Sequence, residues 1–245
     1  MTIPRGAVAI PAVVRDIASG RRVKAVWQNE AGGHTFQVGV GTDREFVKVA
    51  TPHGRVDLRV EADKLRWAAP HLRVPTVLGY GRDGTSEWLH TAGLPGRSAV
   101  DADWVARPQE AVVAIGAGLR ALHDRLPVDD CPYSWSVADR LAAKAPTARH
   151  AVPAPPSVDR LVVCHGDACA PNTLIADDGR FSGHVDLGDL GIADRWADLA
   201  VATLSLGWNY PGDREPEFFA AYGVEPDPVR IAYYRTLWNA EDDSG

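Results

Sequence analysis

Apolar and polar positions change rhythm part-way along the chain. Residues 35–40 and 45–49 are short β-branched or aromatic runs separated by Gly41-Thr42-Asp43-Arg44, which predicts two strands and a turn. Residues 55–69 place Val56, Val60, Leu65, Trp67 and Ala68 among mixed charges, which predicts a helix closed by Pro70 and Pro75. Residues 74–78 and 87–90 predict two further strands around a glycine-rich turn. After Ala92-Gly93-Leu94-Pro95-Gly96, the best candidate hinge, the pattern becomes helical. Residues 108–126 carry Ile115, Leu119, Leu122 and Leu126 at spacings that fall on one helical face, with Pro108 in the first turn and Pro127 at the stop. Helices are also expected over 137–144, 194–206 and 228–238. A proline-rich loop is expected over 145–157, and buried strands over 161–164 and 181–187, the second carrying Asp186. No internal repeat is visible.

Composition narrows the classes without choosing among them. The chain has 245 residues, 45% of them hydrophobic, enough for one large domain or two small lobes. No apolar run reaches the length of a bilayer span, and the first residues lack the charged-then-apolar pattern of a secretory signal. Three cysteines are too few for a disulfide framework, so a cytoplasmic location is the default. A net charge of -6 argues against a nucleic-acid partner and permits a cationic substrate.

The chemistry concentrates in Cys164-His165-Gly166-Asp167-Ala168-Cys169-Ala170-Pro171-Asn172 and in Asp186. A carboxylate followed by a carboxamide and a second carboxylate in this order suits phosphoryl transfer. Asp167 is placed to accept a hydroxyl proton, while Asn172 and Asp186 offer the hard oxygen ligands that magnesium prefers. Upstream, Lys48 stands on an apolar strand and Glu61 on the following helix. That pairing fixes a lysine head for nucleotide phosphates. Gly32-Gly33 serves equally as a phosphate-facing loop or an ordinary turn. Gly79-Tyr80-Gly81-Arg82-Asp83-Gly84 matches a dinucleotide fingerprint, but it runs into strand-like sequence rather than opening a helix, so it is set aside. Walker A and nucleophile-elbow motifs are absent. Cys164, His165 and Cys169 lack a fourth ligand at zinc spacing and read as structural. His165 reads as a support for the loop. Asp194, Arg195 and Asp198 read as a helix start, with Asp198 a candidate brace of the catalytic loop.

These residues resemble the bacterial aminoglycoside phosphotransferases, especially the 3'-type. The similarity runs through 163–172 and 183–200. It continues at Phe46-Val47-Lys48, Trp88-Leu89, Pro95-Gly96, Leu122-His123, Cys131-Pro132-Tyr133, Ala221-Tyr222-Gly223 and 231–235. The resemblance implies a protein-kinase-like bilobal α+β fold. A small mainly-β N-terminal lobe with one helix would span 1–92 and a larger mainly-α lobe 93–245, with ATP, sometimes GTP, between them. It implies Asp167 as catalytic base, Asn172 and Asp186 as Mg2+ ligands, Lys48 with Glu61 at the phosphates, and Thr91, Ala92 and Leu94 facing the base. The substrate would be a cationic aminoglycoside. Another small alcohol or amino sugar, or a nucleotide-binding pseudokinase, stand as alternatives. Three departures bear on this. Asp189 stands where the family usually has arginine in Gly-Arg-Leu-Gly, the segment between Cys131 and Val162 is short, and Leu237-Trp238-Asn239-Ala240 with Glu241-Asp242-Asp243 replaces the usual C-terminal acids and phenylalanines.

Overall fold

The computed structural model describes residues 2, 4, 6–29, 32–51, 57–142 and 152–240. Parts of several expected features lie outside these residues: 55–56 of the second-strand-to-helix stretch, 143–144 of the helix expected to end there, 145–151 of the proline-rich loop, and Glu241-Asp242-Asp243. The chain forms two compact units, Met1–Pro95 and Gly96–Gly245.

The first unit is a five-stranded antiparallel sheet in the order β1-β2-β3-β5-β4. Its strands are β1 Val23–Gln28, β2 His34–Val38, β3 Glu45–Ala50, β4 Val77–Arg82 and β5 Glu87–Ala92. The period of two separates its faces. Phe36 and Val38 of β2 and Val47 of β3 are buried with Val14 and Ala18 of helix α1 (Ala12–Ala18). Lys48, next along β3, therefore points to the opposite face, where it pairs across the sheet with Thr35 and Leu89. Helix α2 (Leu58–Ala68) lies on that face, burying Leu58, Ala62, Leu65 and Ala68. Asp57 caps α2 by accepting from the Val60 N–H at 3.0 Å. Glu87 on β5 accepts from the Arg59 N–H at 3.2 Å, which fixes the start of the helix against the sheet.

Among the described residues the unit also carries a second helix, α1, before the sheet. One expectation is corrected here. The fourth strand spans Val77–Arg82 rather than 74–78, so Gly79 and Gly81 are strand residues. A Cβ on Gly81 would lie 2.4 Å from the Trp88 ring, its cross-strand partner. The G-x-G of the apparent fingerprint is thus the seat of an indole, not a phosphate turn.

The second unit is mainly helical. Its helices are α3 Ala102–Val105, α4 Pro108–Arg125, α5 Val137–Ala142, α6 Trp196–Asn209, α7 Glu215–Tyr222 and α8 Pro228–Asn239. Ile115, Leu119 and Leu122 of α4 are buried, as their spacing predicts, and α4 packs on α7. Trp104, Trp196, Phe218 and Tyr222 fill the core. Two small sheets sit within it. One pairs β7 Leu161–Cys164 with β10 Gly191–Asp194, and the other orders β6 Arg97–Ser98, β8 Thr173–Ile175 and β9 Phe181–His184 as β6-β8-β9. Helix α6 starts at Trp196, leaving Asp194 as the last residue of β10. Among the described residues no helix is long and apolar enough to cross a membrane.

Candidate active site

Strand β7 delivers the chain into His165-Gly166-Asp167, and the 3-10 turn Ala170–Asn172 brings it back to β8. Gly166 makes the turn possible. Its φ is 85°, and a Cβ there would lie 2.1 Å from the Asp189 carbonyl oxygen. Gly166→Ala therefore adds left-handed strain to a direct clash. Each effect is worth about 1–3 kcal/mol, so a loss of roughly 2–6 kcal/mol in urea-unfolding stability is expected.

His165 is locked by two hydrogen bonds of opposite sense. Its Nε2–H donates to the Val185 carbonyl at 3.0 Å, and its Nδ1 accepts from the Asp167 N–H at 3.3 Å. Both nitrogens are used, so His165 holds the turn. Beneath it lies His184, edge to ring, whose burial pulls its pKa down to about 3. It is uncharged and does not repel its neighbour.

Asp198, from α6, anchors the turn from below. Its Oδ2 accepts from the His165 N–H at 2.6 Å and its Oδ1 from the Gly166 N–H at 2.9 Å. His123 of α4 lies 2.9 Å from the same Oδ2, and the other nitrogen of His123 meets the Tyr222 hydroxyl at 2.8 Å. Burial opposes the charge of Asp198. The His123 hydrogen bond, its charge, and the Gly166 amide outweigh that and hold the carboxyl below the usual carboxylate range. His123, Cys164 and Asp198 also stand close enough to form a ligand cluster, but the Asp198 oxygens are committed to the turn.

Asp167 itself is half-buried. Its Oδ2 accepts from the Asn172 Nδ2 at 3.0 Å, and that same amide reaches the Asp167 carbonyl at 3.0 Å. Oδ1 is buried and has no hydrogen-bond partner among the described residues. Burial first, and then the charge of Asp186, push the Asp167 carboxyl above its usual range, with the Cys169 thiol and His165 acting the other way. An unpartnered buried carboxylate oxygen lacks a ligand, and here a hydroxyl donor would satisfy it.

Asp186 does not sit on a strand as its apolar surroundings predict. β9 ends at His184, and Asp186 adopts a left-handed backbone with φ 64°. The Val185 N–H donates to the Asn172 carbonyl at 3.0 Å, which holds the segments bearing Asn172 and Asp186 side by side. Two carboxylates whose charges oppose one another, beside a carboxamide oxygen, make a donor set that fits a hard divalent cation.

In the first unit Lys48 Nζ lies 2.6 Å from Glu61 Oε1, with the Glu61 side chain 3% exposed and that of Lys48 25%. The buried glutamate fixes a lysine whose side chain is partly exposed. At the end of β5, Thr91 is buried. The Ala92 N–H donates to the Thr76 carbonyl and the Gly93 N–H to the Arg44 carbonyl, while the Arg44 guanidinium donates to the Leu94 carbonyl. The Leu94 N–H is left without a partner among the described residues, so it can meet a ligand acceptor. Sequence reasoning named Asp198 as a brace but missed its link to His123 and Tyr222. The only local signal was Leu122-His123 at the end of an amphipathic helix.

Residues 28–234 match the profile of the phosphotransferase enzyme family. An aminoglycoside 3'-phosphotransferase of Streptomyces fradiae is 34% identical over 259 aligned positions, covering 87% of this chain and 92% of that protein. The crystal structure of an aminoglycoside-3'-phosphotransferase of type VIII superposes with a TM-score of 0.73 at 27% identity, covering 90% of this chain and 94% of that one. An aminoglycoside phosphotransferase from Streptomyces rimosus, in complex with ADP and streptomycin, superposes with a TM-score of 0.65 at 25% identity, over 86% of this chain and 93% of that one. With its five-stranded β unit, its helical unit and the His165-Gly166-Asp167 turn braced between α4 and α6, the chain belongs to the phosphotransferase enzyme family.

Proposed function

We propose that this chain is an ATP- and Mg2+-dependent O-phosphotransferase. It would move the γ-phosphoryl group to a hydroxyl of an aminoglycoside antibiotic, the 3'-hydroxyl first, in the cytoplasm, and so confer resistance. The observation that carries the reading is the buried Asp167 Oδ1 with no partner, next to Asn172 and Asp186. The aminoglycoside comes from the relatives' names, and ATP from the ADP held by the Streptomyces rimosus neighbour.

In the forward step the acceptor oxygen attacks the γ-phosphorus, the bond to the bridging oxygen of ADP breaks, and the hydroxyl proton passes to Asp167. Asp167 orients the hydroxyl through Oδ1 while Asn172 holds Oδ2, so the base does not rotate away. Asn172 and Asp186 would hold Mg2+, which neutralises phosphate charge when bound. Lys48, steadied by Glu61, meets the nucleotide phosphates, and Thr91, Ala92 and Leu94 face the base. Lys48→Met removes one fixed cation and leaves the Glu61 carboxylate buried without it. A fall in kcat/KM for ATP of about 100-fold is expected in steady-state kinetics.

The test is ADP release from Mg-ATP across kanamycin-type and streptomycin-type compounds, with host resistance measured in parallel. Asp167-dependent turnover of a kanamycin-type compound supports the reading. Turnover only with unrelated alcohols moves the function to another small-molecule kinase, and tight ATP binding without turnover to a pseudokinase.

A further inference from the structure

Asp189 packs beside the turn that carries Asp167 and meets a cation from α5. Its backbone lies directly against the catalytic turn: a Cβ on Gly166 would stand 2.1 Å from the Asp189 carbonyl oxygen and 2.7 Å from its Cβ. Its side chain is 57% exposed, and its Oδ1 lies 3.3 Å from a terminal nitrogen of Arg140 on α5. The Arg140 side chain is only 17% exposed, and its guanidinium carbon stands 4.2 Å from the centre of the Trp135 ring. Trp135 is buried, and its indole N–H donates to the Gly166 carbonyl at 3.2 Å. The four residues Gly166, Asp189, Arg140 and Trp135 thus close a ring around the turn that carries Asp167.

The segment before α5 is fixed well enough to transmit this. The Trp135 N–H donates to the Ile192 carbonyl at 3.1 Å and the Ile192 N–H to the Tyr133 carbonyl at 2.9 Å, so Ser134 forms a single parallel bridge with Ile192 of β10. A Cβ on Gly191 would lie 2.5 Å from the Ser134 backbone, so the approach is close. Guanidinium suits this place better than ammonium, because it stacks and pairs in one plane.

We propose that Arg140 is a positioning residue of the catalytic turn, acting with Asp189 as one unit. The pair holds the 187–190 turn against Gly166 and removes a bare carboxylate from the neighbourhood of Asp167 and Asp186. This rests on the proposed phosphoryl transfer, though not on which acceptor is used.

A double-mutant cycle tests it, read in kcat, in KM for ATP and in acceptor-independent hydrolysis of Mg-ATP. Arg140→Ala is expected to lower kcat about 10-fold with KM for ATP little changed, and to lower it less than about 2-fold in an Asp189→Asn background, as residues of one network couple. Arg140→Lys should fall between, and the exchanged pair Arg140→Asp with Asp189→Arg should recover most of what Arg140→Asp alone loses. Equal losses in both backgrounds, or an exchanged pair no better than Arg140→Asp, overturn the proposal, as does coupling confined to thermal stability. Should Arg140→Ala fail to fold, Arg140→Lys and the exchanged pair carry the decision. A parent protein that hydrolyses ATP but accepts no aminoglycoside refutes the proposed acceptor, while the cycle in hydrolysis still decides on Arg140. A parent with neither activity overturns both.

Discussion

Asp167→Asn slows transfer by orders of magnitude while leaving the fold intact. The asparagine keeps an oxygen for the Asn172 amide, so the turn has no reason to move. What is lost is the acceptor for the hydroxyl proton, and general-base removal lowers rates by about 100-fold to 10,000-fold. The expected result is a fall of that size in kcat with nucleotide binding retained. Stability supplies the internal control. Burial and Asp186 raise the Asp167 carboxyl above its usual range, so in metal-free protein at neutral pH its ionised form opposes folding. The variant should therefore melt at or above the temperature of the parent. A loss of activity accompanied by a lower melting temperature would point to damage rather than chemistry.

Asp198→Ala acts through structure. It strips partners from the His165 and Gly166 N–H groups and from His123, all buried. Breaking such a buried charged network costs about 3–5 kcal/mol, large against the usual stability of a domain. The expected result is a sharp drop in urea-unfolding stability together with loss of turnover. The pH dependence has a definite sign. The Asp198 carboxyl is held below its unfolded value, so its contribution is full above the ordinary carboxylate pKa. It is lost as pH falls through the lower folded value. Parent stability should decline in acid over that range, and Asp198→Asn should remove that part of the decline. An unchanged acid profile in Asp198→Asn would refute the brace.

Much of this was legible in the chain, and the reasons for the exceptions are local. Lys48 was placed on a strand because Phe46-Val47-Lys48-Val49 alternates between faces, and Glu61 because its helix has a clear apolar stripe. Asp167 and Asn172 fall within six residues of one turn, so spacing alone brings them together. Asp186 was wrongly extended onto a strand because Val185 and Leu187 continue the apolar pattern, while the backbone turns left-handed at Asp186 itself. Helix α1 was missed because Ala12-Val13-Val14-Arg15-Asp16-Ile17-Ala18 is short and rich in β-branched residues, and its N-cap position is Pro11, which makes no side-chain cap. Helix α7 carries two phenylalanines side by side and shows little stripe. The link from His123 to Asp198 joins residues 75 apart, and that from Arg140 to Asp189 joins a helix to a turn far along the chain. Neither leaves a periodic signal, and only the fold reveals them.

Phosphorus–proton correlation NMR of the product formed from Mg-ATP and a kanamycin-type aminoglycoside tests the central claim most directly. The account predicts one phosphomonoester coupled to the proton on the carbon bearing the 3'-hydroxyl, formed by the parent and at least about 100-fold more slowly by Asp167→Asn. Inorganic phosphate as the sole product, or a phosphomonoester that forms with Asp167→Asn at the parent's rate, would contradict it.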